Sequence, residues 1–252
     1  MVRDVRMRGF AERADVAEVD AFLAEETRSL ASEEVELLDC TGRVLAEGVE
    51  SKFDVPGFPR SAMDGYALRG EESFGASEYA PIPFDVLGTA LPGAAFEGQV
   101  GPGQAVRIMT GAPIPSGADA VVMAEVCSES ADGDRVEISE AVPPQKNVGV
   151  AGEDIRKGDP VLAPGRRIRP QDAALLASIG RPRVACIARP RVKLVVTGNE
   201  LLPAGSAPEG VCIVDSNSVM LRGLVARDGG QLLPFEILPD DPAQIRAAMA
   251  DS

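Results

Sequence analysis

The spacing of apolar and polar residues divides the chain into three textures. From Asp15 the period is helical: Asp15 with Glu18 three positions on makes a capping-box-like start, and Val16, Val19, Phe22 and Leu23 fall on one face. Residues 35–38 alternate as a short strand and residues 41–46 read as a further helical turn or two, all of it packing rather than chemistry. Between residues 51 and 149, Pro and Gly punctuate short apolar runs at 81–88, 104–109, 120–123 and 135–138, the pattern of a small β-rich domain. The stretch 128–134, Ser-Glu-Ser-Ala-Asp-Gly-Asp, reads as a hairpin loop with solvated acids. A helix opening at Pro170, apolar over 173–179 and closing at Gly180 resumes the N-terminal character.

Residues 51–149 are therefore expected to be an insertion, splitting a linking domain into 1–50 and 150–185. From residue 186 the texture becomes α/β. Residues 192–196 form a nearly continuous apolar run expected as a buried parallel strand, 217–228 a helix ended by Gly229-Gly230, 231–238 the next strand, and 243–250 a helix opened by Pro242. One βαβ unit and half of another make an incomplete parallel α/β domain over 186–252, since two parallel strands cannot cover a core. The expected fold class is multi-domain, α+β and α/β. An elongated N-terminal helical and β segment carries the inserted β-rich domain and precedes the truncated α/β domain.

Composition narrows the chemistry. Lys and Arg number 25 against 39 Asp and Glu, a net charge of −14, which argues against a nucleic-acid footprint or an anionic membrane surface. Lys occurs only at 52, 146, 157 and 193, so any phosphate-bearing ligand depends on local amides, a few arginines or a divalent metal. The absence of His removes the usual general base, the Ser-His triad and most zinc sites. Cys40, Cys127, Cys186 and Cys212 have no paired spacing and are expected as packed thiols. The first residues are charged without the apolar core of a signal peptide, and no long apolar run occurs, so a cytoplasmic protein is expected.

Four loops carry the residue types that hold phosphates and divalent cations. The first is Ser61-Ala62-Met63-Asp64, with Asp64 directly before Gly65; a hairpin turn whose Asp bonds its own backbone competes with a presented carboxylate. The second is Arg107-Ile108-Met109-Thr110-Gly111-Ala112-Pro113, where Thr110 supplies a hydroxyl and Arg107 a cation; the plain alternative is a stiff connection. The third, Gly152-Glu153-Asp154, is either a surface turn or, through Asp154, part of a Mg²⁺ or oxyanion network. The fourth, Thr197-Gly198-Asn199-Glu200, lies past the carboxyl end of the first parallel strand, where open α/β sheets bind ligands. Asp240 and Asp241 follow the next strand; Asp240 shares that edge with Glu200, or the two acids simply cap the last helix.

In this order the motifs Ser-Ala-Met-Asp-Gly-Tyr-Ala, Arg-Ile-Met-Thr-Gly-Ala-Pro-Ile-Pro, Gly-Glu-Asp-Ile, Thr-Gly-Asn-Glu-Leu and Asp215-Ser216-Asn217 resemble the molybdopterin molybdenumtransferases, the MoeA type similar to the gephyrin E-domain. The resemblance runs from about residue 17 to the end. It implies molybdenum cofactor biosynthesis: adenylylated molybdopterin and molybdate as substrates, Mg²⁺ as cofactor, AMP as leaving product, and molybdopterin adenylyltransferase as upstream partner. It also implies a homodimer with an inter-subunit site. Carried over by motif, Asp64, Thr110 and Asp154 face that site from the inserted domain, with Ser61 and Arg107 as substrate contacts. Glu200, Thr197 and Asp240 face it from the α/β domain. Asp64, Asp154 and Glu200 are the implied catalytic and Mg²⁺-binding acids, consistent with a chain that has no His.

The chain departs from the family pattern in three respects. Asn199 stands where the family often has Asp, and Val148-Gly149-Val150-Ala151 replaces a basic run. The family also continues past this C-terminus with a Gly-Gly-x-Ser loop, a Lys-Pro-Gly-Lys-Pro stretch and a small β-barrel. A catalytically inactive module for dimerisation or partner binding is the alternative reading, and a generic sugar- or nucleotide-binding α/β protein a third.

Overall fold

A computed structural model of the chain describes residues 14–250. The charged N-terminal residues read above for the absence of a signal peptide lie outside these described residues. In order, the first elements are α1 (Val16–Glu26), β1 (Ser32–Glu36), β2 (Val49–Glu50) and β3 (Arg60–Ser61). Then follow β4 (Gly65–Leu68), β5 (Ile82–Ala90), β6 (Gln104–Ile108), β7 (Ala120–Met123), β8 (Cys127–Glu129) and β9 (Arg135–Ile138). Next come β10 (Val148–Gly149), β11 (Pro160–Leu162), α2 (Pro170–Ser178) and β12 (Arg183–Ile187). The last are β13 (Arg191–Val192), β14 (Val196–Thr197), β15 (Leu201–Leu202), β16 (Ile213–Val214), α3 (Asn217–Arg227), β17 (Gln231–Leu232), β18 (Ile237–Leu238) and α4 (Pro242–Ala250). Two compact units contain them. One comprises 48–164 with 171–182, and the other the described residues of 14–47, 165–170 and 183–250.

The first unit is built on a six-stranded sheet in the order β7-β4-β6-β5-β9-β8. Only the β5–β6 pair is parallel. Each apolar run expected between 81 and 138 became one of these strands, and 128–134 became the β8–β9 hairpin. Both faces of the sheet are covered. Tyr66, Leu68, Phe84, Ala105, Val122 and Ile138 pack on one side. Ala67, Val106, Ile108 and Val121 pack with Ala90 and Val100 on the other. This is the two-residue alternation of a pleated strand with an apolar layer on each side. Side chains such as Phe84, Leu68 and Ile108, fully removed from water, stabilise the unit by about 1.5–3 kcal/mol each.

Gly65 is not a turn glycine, contrary to the simplest reading of Asp64-Gly65. It is the first residue of β4, paired with Ile108 on one side and Met123 on the other. A Cβ there would stand 1.8 Å from the Val122 carbonyl oxygen, so only glycine lets the neighbouring backbone approach.

In the second unit β1 and β12 form an antiparallel ladder, with Val35 opposite Val184 and both buried. The expected strand at 35–38 is shifted: it spans Ser32–Glu36, and Leu37–Asp39 is a 3-10 turn. Residues 41–46 are extended rather than helical. Gly42, at φ 82, turns the chain, and the Leu45 and Ala46 N–H groups donate to Arg166 and Ala185 carbonyls instead of to a helical turn. Helix α1 has its capping box, with Asp15 accepting from the Ala17 N–H and Glu18 from the Asp15 N–H. Its apolar stripe is nonetheless bare, with Val16 75% and Phe22 61% exposed.

The expected buried strand at 192–196 is broken into β13 and β14, and 231–238 into β17 and β18. Pairing is parallel as expected, β13 with β17 and β14 with β18. Each piece has one strand partner among the described residues, too little to bury a two-faced parallel strand, and Val195 is exposed. Helices α3 and α4 form close to their expected ranges.

Gly65→Ala is expected to lower the stability of the first unit by about 3 kcal/mol, the upper range for overpacking against a rigid neighbour. Urea unfolding monitored by circular dichroism checks it; an unchanged midpoint contradicts the backbone approach described for β4.

Candidate functional site

Three loops meet around Ser61 in the first unit. The Ser61 N–H donates to the Ala112 carbonyl (2.9 Å) and the Gly111 N–H donates to the Ser61 carbonyl (2.8 Å). Across the other edge β3 pairs with β10, Ser61 opposite Val148, and the Ala62 N–H donates to the Asn147 carbonyl (2.9 Å). Ser61 is buried, and its hydroxyl donates to the Met63 carbonyl at 2.5 Å, closing the 61–63 turn. Its hydroxyl therefore shapes the loop from within. Asn147, at φ 56, is held by its own amide donating to the Val121 carbonyl, and the sequence reading had not singled it out.

The sheet register brings Asp64 to Thr110. Gly65 on β4 pairs with Ile108 on antiparallel β6, so stepping back to Asp64 meets the chain leaving β6. Asp64 Oδ1 accepts from both the Thr110 N–H and the Thr110 hydroxyl, each at 2.6 Å. Asp64 thus bonds across 46 residues rather than to its own turn. The Thr110 hydroxyl, then its backbone N–H, hold the Asp64 carboxyl below its ordinary range, so this exposed group is an anion at neutral pH.

Beside it, a cavity of about 260 Å³ is lined by Asp64, Tyr66, Arg107, Met109, Cys127 and Glu129, among others. Arg107 pairs with Glu129 at 3.5 Å. Tyr66 is only 4% exposed, and burial, then a hydrogen bond to the Glu129 carboxylate, push its phenol up to about 12. Burial, then the Glu125 charge, push the Cys127 thiol up to about 11, leaving it protonated at neutral pH. Glu129 is the acid that pattern reading assigned to a solvated hairpin. The signal available for it was its place on a strand edge facing Arg107, visible only once the β8–β9 hairpin joins the sheet.

The Gly152-Glu153-Asp154 loop is tied to the same region. The Gly152 N–H donates to the Pro56 carbonyl (2.8 Å), and Arg60 on β3 reaches Glu153 at 2.8 Å and Asp154 at 3.7 Å. Arg60, Ser61, Thr110, Asn147, Gly149 and Glu153 line a further open cleft of about 490 Å³. The first three loops of the sequence reading therefore do assemble, with Glu153 rather than Asp154 as the closer partner of the cation.

Thr197, Glu200 and Asp240 belong to the other unit. There the contact runs between Asn199 and Asp240. The Asn199 side-chain oxygen accepts from the Asp240 N–H (3.2 Å), and the Asp240 carboxylate from the Asn199 N–H (3.4 Å). Asp241 caps α4, accepting from the Ala243 N–H at 2.7 Å, while Asp240 does not. The two adjacent acids, read together from sequence, have separate roles.

Among the described residues no group of three or more acids or thiols could hold a metal ion. The expected Mg²⁺ acids do not form a ligand set by themselves. Asp64 is engaged with Thr110, Asp154 lies beside Arg60, and Glu200 is in the other unit. A Mg²⁺ ion here needs ligands from elsewhere.

Because the folded-state pKa of Asp64 is depressed, its stabilisation is present above the ordinary carboxyl pKa of about 4 and lost as pH falls through the lower folded value. Thr110→Val is expected to move the Asp64 titration, followed by NMR, up toward the ordinary range. An unmoved titration contradicts the assigned cause. In an ultraviolet titration Tyr66 is expected to ionise at about 12, and Glu129→Gln to bring that value down.

The model of the MoeA N-terminal region (domain I and II) matches residues 14–180. The molybdopterin molybdenumtransferase of Staphylococcus epidermidis is 37% identical over 207 residues, which is 82% of this chain and 49% of that protein. The enzyme of the same name from Haemophilus influenzae is 35% identical over 217 residues, 86% of this chain and 52% of that one. The chain spans about half the length of these curated relatives. The crystal structure of the molybdopterin biosynthesis MoeA protein of Pyrococcus horikoshii OT3 superposes with a TM-score of 0.85 at 37% identity, covering 93% of this chain and 62% of that one. Among the described residues no helix is long and apolar enough to cross a membrane. With the matched region spanning the six-stranded sheet and every loop that meets at Ser61, the chain belongs to the MoeA family, in its N-terminal region.

Proposed function

We propose that this chain supplies the N-terminal part of a molybdopterin molybdenumtransferase, inserting molybdate into adenylylated molybdopterin with release of AMP. The observation that carries the reading is the Asp64–Thr110 pair, a carboxylate fixed in its anionic form by two short bonds to one residue. Asp64 lines one cavity with Arg107, and Thr110 lines the next cleft with Arg60. Arg60 and Arg107 each retain an acidic partner, Glu153 and Glu129, so each is held in place rather than free to swing. In this reading the arginines orient the phosphate-bearing substrate, and the Asp64 carboxylate, held by Thr110, accepts a hydrogen bond from a water at the substrate. Pre-positioned charge of this kind is a large part of catalysis at phosphoanhydrides.

The names of the relatives support the substrate class. The homodimer with its shared site, the contribution of Thr197, Glu200 and Asp240 to that site, and the upstream adenylyltransferase belong to the same proposal. So does its setting in the cytoplasm. The bare stripe on α1 favours self-association, and it equally supports the second reading, a catalytically silent dimerisation module.

In a protein joining this chain to the C-terminal segments of its relatives, Asp64→Ala is expected to cut AMP release on molybdate addition by roughly 100-fold or more. The circular dichroism spectrum is expected to stay unchanged. Wild-type turnover sinks the assignment and leaves the dimerisation reading. Separately, Phe22→Glu is expected to convert a dimer into a monomer in sedimentation equilibrium; if the two proteins sediment alike, the α1 stripe is not the contact.

A further inference from the structure

The second unit holds a concentration of positive charge that the proposed function does not use. An open cleft of about 460 Å³ is lined by Arg28, Arg43, Arg167 and Arg189, with apolar wall from Leu30, Val44 and Ile187. The chain as a whole carries −14, so arginines gathered in one place run against the average field. Arg43 pairs with Glu33 and donates to the Ile187 carbonyl at 2.9 Å. Asp228, at the end of α3, is taken on both oxygens by Arg227, at 2.8 and 3.0 Å. These two acids against five guanidinium groups leave three positive charges uncompensated within the set.

Those three differ in freedom. Arg167 donates to the Gly42 carbonyl (3.3 Å) and the Arg227 carbonyl (3.0 Å), so it is pinned across the cleft, where it shares the Asp228 charge with Arg227. Arg28 donates to the Glu25 and Thr27 carbonyls, which likewise fix it and leave its charge. Arg189 is exposed, and none of the ion pairs in the cleft includes it. Gly42 and Gly229 sit on the lining with open space where a side chain would stand. Like charges held together at a surface cost free energy, a cost removed by a bound counter-anion. Guanidinium groups prefer an oxyanion that accepts from two N–H groups at once.

We propose that this cleft binds a small phosphate-bearing anion, with Arg28, Arg167 and Arg189 as its direct ligands. A diphosphate suits it better than a single phosphate, because three cations spread around one opening, two of them anchored by carbonyls, are matched by two charged groups. The probe is inorganic pyrophosphate, titrated calorimetrically into the full chain at low salt without divalent ions. Saturable one-to-one binding is expected, weakened on the order of tenfold by Arg189→Ala and by Arg28→Ala, and suppressed in 0.5 M NaCl. Arg60→Ala in the other unit is expected to leave the isotherm as it was. Arg189, outside those ion pairs, is a substitution that leaves folding intact, and circular dichroism of each variant checks this. No binding by the wild-type chain overturns the proposal. So does binding that survives Arg28→Ala/Arg189→Ala or disappears in Arg60→Ala. Binding of a poly-glutamate peptide in place of pyrophosphate also overturns it, making the cleft a peptide surface.

Discussion

Strand β4 is a four-residue segment with no face left to solvent, and the arrangement of the first unit follows from that constraint. Its backbone is shared between β6 and β7, and its side chains alternate between two apolar clusters. A strand so enclosed has one register, because a one-residue slip would exchange Tyr66 and Leu68 with Ala67 between layers of different volume. Fixing that register fixes what lies just beyond its end. Asp64 leaves the sheet opposite the point where Thr110 leaves β6, and their contact is a consequence of packing several residues away. The glycine at the junction serves the same end by letting the Val122 carbonyl come close.

The surrounding loops hold their charges by short-range pairing rather than by any general field. With −14 overall, the long-range field opposes anions in general, so any anion bound at these loops would depend on individual arginines with individual partners. Arg60 with Glu153 and Arg107 with Glu129 are partly exposed pairs that add little to stability. Their value is positional. The Arg-lined cleft of the second unit differs in kind, since its arginines are anchored mostly by carbonyls and keep their charge.

The two units also differ in how completely they bury what their sequences offer. In the first, every strand that reads as apolar finds a covering layer. In the second, the α1 stripe is bare and the parallel strands are short, half-buried pieces. Apolar residues placed at regular helical spacing but left in water mark surfaces whose burial depends on something beyond these residues. Helix α1 forms regardless, because its capping box satisfies the first orphan N–H groups without help from packing.

Local rules read from the sequence determined a good deal. The capping box at Asp15, the helix from Pro170 to the left-handed Gly180, and the four β runs between 81 and 138 are all set by neighbours in the chain. The motif-bearing loops at 61–64, 107–113 and 152–154 were visible as well, because turn residues and polar groups cluster there. Tertiary structure decided what those loops do to one another. Thr110 rather than the local backbone bonds Asp64, Glu153 is the nearer partner of Arg60, and Asp240 bonds Asn199 while Asp241 caps the helix. It also decided that 41–46 is extended, since the donors of Leu45 and Ala46 are met by segments more than 100 residues away. Periodicity reports which face of a segment is apolar. Which distant segment meets that face is set by sheet register and close packing, and these depend on residues far apart in the chain.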